Sequence, residues 1–107
     1  MNIIPSQTTA ASAPINLTGK SLNFSPALAP PVTLAANGLA GAEVVAIEVS
    51  SDEGVTYAPA LDVATGAPIE LSATKNIINL NSFGMYRVVK GVTVAAVAVS
   101  VSNVANL

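Results

Sequence analysis

From Ile15 onward, apolar and polar residues alternate at a period of two, in short runs broken by Gly, Pro, Asn and Asp. That pattern predicts half-buried β-strands and no amphipathic helix. Ile15 and Leu17 alternate with Asn16 and Thr18, and Leu22 and Phe24 continue on the opposite parity. A bulge or tight turn is therefore expected at residues 19–21, because one extra residue flips every later side chain. Pro26, Pro30 and Pro31 forbid a central strand, and a short strand follows at 32–34, closed by turn signals at Asn37, Gly38 and Gly41. Residues 43–51 form the clearest strand, with Val45, Ile47 and Val49 on one face. Further strands are expected at 55–58, 69–71, 76–80, 85–90 and 95–102. A second parity change, between Val94 and Val97, predicts another bulge near Ala95 and Ala96.

Eight or so short strands at regular spacing point to a small antiparallel β-sandwich, either immunoglobulin-like or jelly-roll. Residues 1–14 show no strand period, and Pro5 and Pro14 disfavour a helix. They are expected to form a tail without fixed structure or an extended arm that orders on a partner. The domain organisation read from the chain is therefore an arm over 1–14 and a sandwich over 15–107.

Composition adds a constraint. Of the 107 residues, 51% are hydrophobic and only 9% charged, with a mean hydropathy of +0.61. The charged share is far below the roughly 25% of ordinary soluble domains. The most apolar run, 92–101, is too short and too interrupted by Thr93 and Ser100 to span a membrane. The excess of apolar residues is thus expected in a core and in protein–protein contacts. Net charge is −2 with no basic cluster, which argues against nucleic acid and anionic membrane as partners. Lys20 is the only ionisable side chain in residues 1–42. No secretory signal peptide is expected, because the first residues carry neither a basic start nor a long apolar stretch.

The chemistry-bearing residues are sparse. There is no Cys and no His, which removes thiolate and imidazole ligands and the commonest general base. Glu43 and Glu48 differ in parity and face opposite sides of a strand. Asp52, Glu53, Asp62 and Glu70 match no known calcium loop. Thr18, Gly19, Lys20 and Ser21 resemble the end of a phosphate-binding loop, but Pro14 stands where that pattern needs Gly. The expectation is no catalytic, cofactor-binding or metal site, and no enzyme.

Two segments carry motif-like patterns, and both read as parts that hold the fold. Tyr86, two residues after Gly84 and two before Val88, fits a corner tyrosine that packs inward and bonds nearby backbone. The run from Ser50 to Tyr57 resembles the Asp-box of sialidase-type propellers, with Tyr for Trp. There Asp52 accepts turn N–H groups and Gly54 supplies a positive φ. Arg87 is the only arginine, so a sialidase-type arginine cluster cannot be built.

Taken whole, the chain resembles small bacteriophage virion proteins, in particular capsid decoration (cement) proteins. The features that carry the likeness are the Ala/Pro/Thr-rich start through Pro14, the stretch GLAGAEVVAIEVSSDEGVTYAP (38–59) and the ending FGMYRVVKGVTVAAVAVSVS (83–102). The resemblance implies a protein made in the host cytoplasm that sits on the capsid surface of the virion. Its partners would be the major capsid protein and copies of itself, as a dimer or trimer, with the low-charge stretch from residue 1 to about 30 as a strap. Another tail or head–tail connector component and a carbohydrate-binding or adhesin module stand as alternatives.

Overall fold

The computed structural model describes residues 2–19, 30–62 and 64–103. Nine strands run through them: β1 (Asn2–Gln7), β2 (Ala11–Leu17), β3 (Val32–Ala36), β4 (Val44–Ser50), β5 (Ala58–Pro59), β6 (Glu70–Ser72), β7 (Ile77–Leu80), β8 (Gly84–Lys90) and β9 (Val97–Asn103). They form two antiparallel sheets. One has the order β1-β9-β3-β7, and the other β2-β8-β4-β5 with β6 also on β4.

With the two-residue β5 set aside, almost every connection crosses from one sheet to the other. The strand order that results is that of a jelly roll, which settles the choice between the two sandwiches expected. Alternation explains the layers. Val32, Leu34 and Ala36 of β3 and Val97, Val99 and Val101 of β9 point into the gap. There they meet Val45 and Ile47 of β4 and Ile15 and Leu17 of β2, all buried in one core. Each of the valine, leucine and isoleucine side chains among them contributes about 1.5–3 kcal/mol through burial.

Two expectations are corrected. Residues 2–7 are a strand on β9, and 11–17 a strand on β8, so the boundary placed between 14 and 15 falls inside β2. Ile4 and Ala13 belong to the core. Both strands are sheet edges, where a residue lacking an N–H is tolerated on the unpaired side, so Pro5 and Pro14 do not prevent pairing.

The parity change between Val94 and Val97 is no bulge. β8 lies in one sheet and β9 in the other, and residues 91–96 carry the chain across. The register shifts that do occur lie between β1 and β9, on either side of Ile4. The switch expected at 19–21 and the strand residues Leu22 and Phe24 lie outside the described residues, apart from Gly19, whose φ is +84°.

The topology sorts the loops. Segments 8–10, 37–43, 73–76 and 91–96 gather at one end of the sandwich, and 51–57 and 81–83 at the other.

Candidate functional site

At the second end, the segment after β4 is closed by its own polar groups. Ser50 Oγ accepts the N–H groups of Asp52 (3.2 Å) and Gly54 (2.8 Å) and donates to Asp52 Oδ1 (2.6 Å). Asp52 then accepts the Thr56 N–H at 2.8 Å and the Thr56 hydroxyl at 2.5 Å. Glu53 (φ +59°) and Gly54 (φ +95°) both take left-handed backbone, as the Asp-box likeness suggested for Gly54. The bonds to Thr56 hold 51–56 as a turn, so the strand expected at 55–58 shrinks to β5.

The Ser50 hydroxyl, helped by both Thr56 donors, holds the Asp52 carboxyl at about 2, below its ordinary 3.8. A depressed carboxylate contributes stability above its unfolded value and loses it as pH falls through the folded one. Asp52→Asn is therefore expected to be less stable than the parent at about pH 5, with the gap closing as pH is lowered to about 2. Urea melts of both proteins across that range test it, and a gap independent of pH would rule out the carboxylate as its source.

On the outer face of the β2-β8-β4 sheet, Glu48 and Arg87 stand directly opposite one another in register. Arg87 Nε donates to Glu48 Oε1 at 2.9 Å, and Nη2 makes a second, closer contact to the same oxygen. The guanidinium also lies 4.2 Å from the centroid of the Tyr57 ring. Tyr57 and the only arginine thus cover one another. Such a partly exposed pair adds at most about 1 kcal/mol to stability, but it occupies both groups.

Tyr86 is buried at the start of β8, and its hydroxyl donates to the Ser82 carbonyl at 3.2 Å, the corner expected from sequence. Burial pushes its phenol up from the ordinary value. A Cβ on Gly84 would come within 3.2 Å of this ring, which is why glycine opens the strand.

A cleft follows the outer edge of β7, which pairs with β3 alone among the described residues. Two adjoining hollows of about 310 and 320 Å³ share Asp62, Ile69 and Asn79 as lining. Exposed Leu61 flanks one and exposed Ile77 the other. Asp62, the carboxylate between them, accepts the Ala64 N–H at 2.8 Å. Among the described residues, no group of three or more Asp or Glu is placed to hold a metal ion, and Asp52, Glu53, Asp62 and Glu70 do not converge.

The first end holds the charged residues whose roles the sequence reading missed. Lys90 is 1% exposed; its Nζ donates to the carbonyls of Thr9 (2.8 Å) and Gly91 (3.1 Å). The signal was present, because Tyr86, Val88 and Lys90 share one parity and the first two point inward. Glu43 accepts the N–H groups of Ala40 (2.9 Å) and Val94 (2.8 Å). Those two backbone donors, with lesser help from the charge of Lys90, hold its carboxyl below the ordinary range. Thr93 N–H reaches the Thr8 carbonyl at 2.9 Å. Three crossing segments are thereby fastened together.

Comparison of the chain with protein-family models, with curated proteins and with solved structures found no match.

Proposed function

We propose that this chain is a structural virion protein of the capsid-decoration kind. It binds the outer surface of a bacteriophage capsid and clamps neighbouring subunits of the major capsid protein. One observation carries the reading: five of the charged side chains turn to groups of their own chain while several large apolar ones face outward. Glu43, Glu48, Asp52, Arg87 and Lys90 are all engaged internally. Val55, Leu61, Ile77, Phe83, Val92 and Val94 are exposed. A surface built this way offers apolar contact with few ions to desolvate.

Binding of this kind stabilises a shell by mass action, since the decorated assembly is the state that the protein selects. Engagement of two or more subunits by each copy multiplies modest individual contacts. Residues 2–7 and 11–17 lie in the sheets, so within that part of the expected strap the contact falls to exposed apolar side chains, while residues 20–29 of it lie outside the described residues.

Co-sedimentation with expanded capsids, saturating at a fixed number of copies per particle and raising the temperature at which particles fall apart, is the expected result. Binding to isolated tails and not to capsids would point to the tail or connector alternative. Binding to neither would sink the virion reading. Phe83 is an exposed ring of the kind that sugar platforms use, and glycan binding lost on Phe83→Ala would favour an adhesin instead.

A further inference from the structure

The turn that follows β3 brings together a carboxamide and a backbone nitrogen able to react with one another. Asn37 and Gly38 are both exposed, and Gly38 takes a φ of +101°, a conformation that favours glycine. With glycine in place, no side chain crowds the nitrogen of residue 38. Its N–H also has no hydrogen-bond partner among the described residues. That nitrogen and Asn37 Cγ belong to one short stretch of chain, and their union closes a five-membered ring. Attack within one molecule needs no encounter, so the barrier is lowered by proximity alone. The fold's demand for glycine after Asn37 thus creates a chemically weak point.

We propose that Asn37 is a site of spontaneous deamidation, with water as the co-reactant. The Gly38 nitrogen gives its proton to hydroxide and bonds to Asn37 Cγ. The bond from Cγ to Nδ2 breaks, and Nδ2 leaves as ammonia after taking a proton from water. Water then opens the succinimide at either of its carbonyls. Opening at Cγ gives aspartate and restores the original chain path. Opening at the Asn37 backbone carbonyl gives isoaspartate, whose chain runs through Cγ and is one carbon longer. No oxidant or reductant is consumed, and the chemistry is independent of what the chain binds.

The fold treats the two products differently. Asn37 Oδ1 accepts a hydrogen bond from Asn76 Nδ2 at 3.0 Å, and an aspartate oxygen accepts the same bond. Isoaspartate has to place its extra carbon between two anchors. Ala36 is 1% exposed and donates its N–H to the Asn76 carbonyl at 3.0 Å, while Leu39 is 8% exposed and belongs to the core. Residues 37 and 38 alone lie between them. The inner side of Gly38 is already occupied, since a Cβ there would stand 3.5 Å from the Val97 side chain and 3.7 Å from the Ala96 carbonyl. Lengthening the chain at this point therefore strains the hold on Ala36 or Leu39, and close packing leaves little room to absorb it. Either product adds one negative charge to the formal −2, at the end of the sandwich that holds Glu43.

Incubation of the full chain in warm, mildly alkaline buffer, followed by peptide mapping with mass spectrometry, tests the proposal. Asn79 and Asn81 are exposed as well but precede Leu80 and Ser82, so they serve as internal controls. Conversion of Asn37 to its acid is expected to be faster than at either control by roughly tenfold or more, a difference of ~1.4 kcal/mol in barrier. It should slow in mildly acidic buffer, where hydroxide is scarce. Enzymatic methyl labelling of isoaspartate should mark the aged parent and leave an equally aged Asn37→Gln chain unmarked. Asn37→Asp, which carries the charge on the normal chain path, is expected to melt within about 3 °C of the parent, and the isolated isoaspartate fraction lower by about 5 °C or more. Conversion at Asn37 no faster than at Asn79 and Asn81 overturns the site. An isoaspartate fraction that melts with the parent overturns the difference between the two products.

Discussion

A chain lacking residues 1–14 is expected not to fold. The deletion removes all of β1 and the part of β2 that pairs Ala11 with Lys90 through Pro14 with Arg87. It takes Ile4 and Ala13 from the core and uncovers the flank of Val97 and Val99. Truncating a buried isoleucine such as Ile4 to alanine alone costs about 2–5 kcal/mol. Without Thr9, the Lys90 ammonium keeps only the Gly91 carbonyl, and a buried charged group that loses a partner costs a further ~1–3 kcal/mol or more. With one strand ladder also gone and a second shortened, the sum exceeds much of the roughly 5–15 kcal/mol by which a domain is stable. Far-UV circular dichroism and a urea melt of the deleted chain provide the measurement. A truncated protein that melts cooperatively near the parent midpoint would return residues 1–14 to the status of an arm.

The contrast between that expectation and the arm predicted from sequence shows where period-two reasoning works. β3, β4, β8 and β9 have one face in the core and alternate over most of their length, so their positions were legible to within a few residues. β1 has Ile3 and Ile4 side by side, a proline in its middle and register shifts on either side of Ile4. Each feature erases the period, yet an edge strand tolerates all three, because only one of its sides must make hydrogen bonds. The change of parity at Ala95 and Ala96 failed for a different reason. A slip within one strand and a passage between two sheets both flip the inward residues, and parity alone does not distinguish them.

The sites divide in the same way. Asp52 and Tyr86 were legible because their roles are local, set by a turn and a corner within a few residues of chain. Glu43 and Lys90 act across 51 and 81 residues of sequence, on Val94 and Thr9. Those partners exist only once β1–β2 and β8–β9 have crossed at the same end, and no local pattern encodes that meeting. The exposure of the apolar side chains of 91–96 was not legible for a related reason. Val92 and Val94 look like strand interior until the crossing places them on a loop.

Lys90→Ala is expected to be among the most destabilising single substitutions in the chain. At the end of β8 the lysine stem continues the inward row of Tyr86 and Val88, and the ammonium closes two carbonyls that no ladder reaches. Alanine leaves a cavity, costing about 2–5 kcal/mol for a side chain of this size. It also leaves the Thr9 and Gly91 carbonyls without their donor, at about 1–3 kcal/mol where such groups stay buried. Lys90→Met keeps the stem and removes the ammonium, so its smaller loss measures the hydrogen bonds and the difference from alanine measures the packing. Urea melts of the two variants give both numbers, and a cost below about 0.5 kcal/mol for alanine would be that of an ordinary surface site, ruling out a buried role. The methionine variant should also speed amide exchange at Thr93 and Val94 more than at Val88. The ammonium fastens the β1–β2 turn to the loop that presents Val92 and Val94, whereas Val88 is held by two neighbouring strands. Equal acceleration at all three amides would mean that Lys90 supports the sandwich as a whole and has no particular hold on that loop.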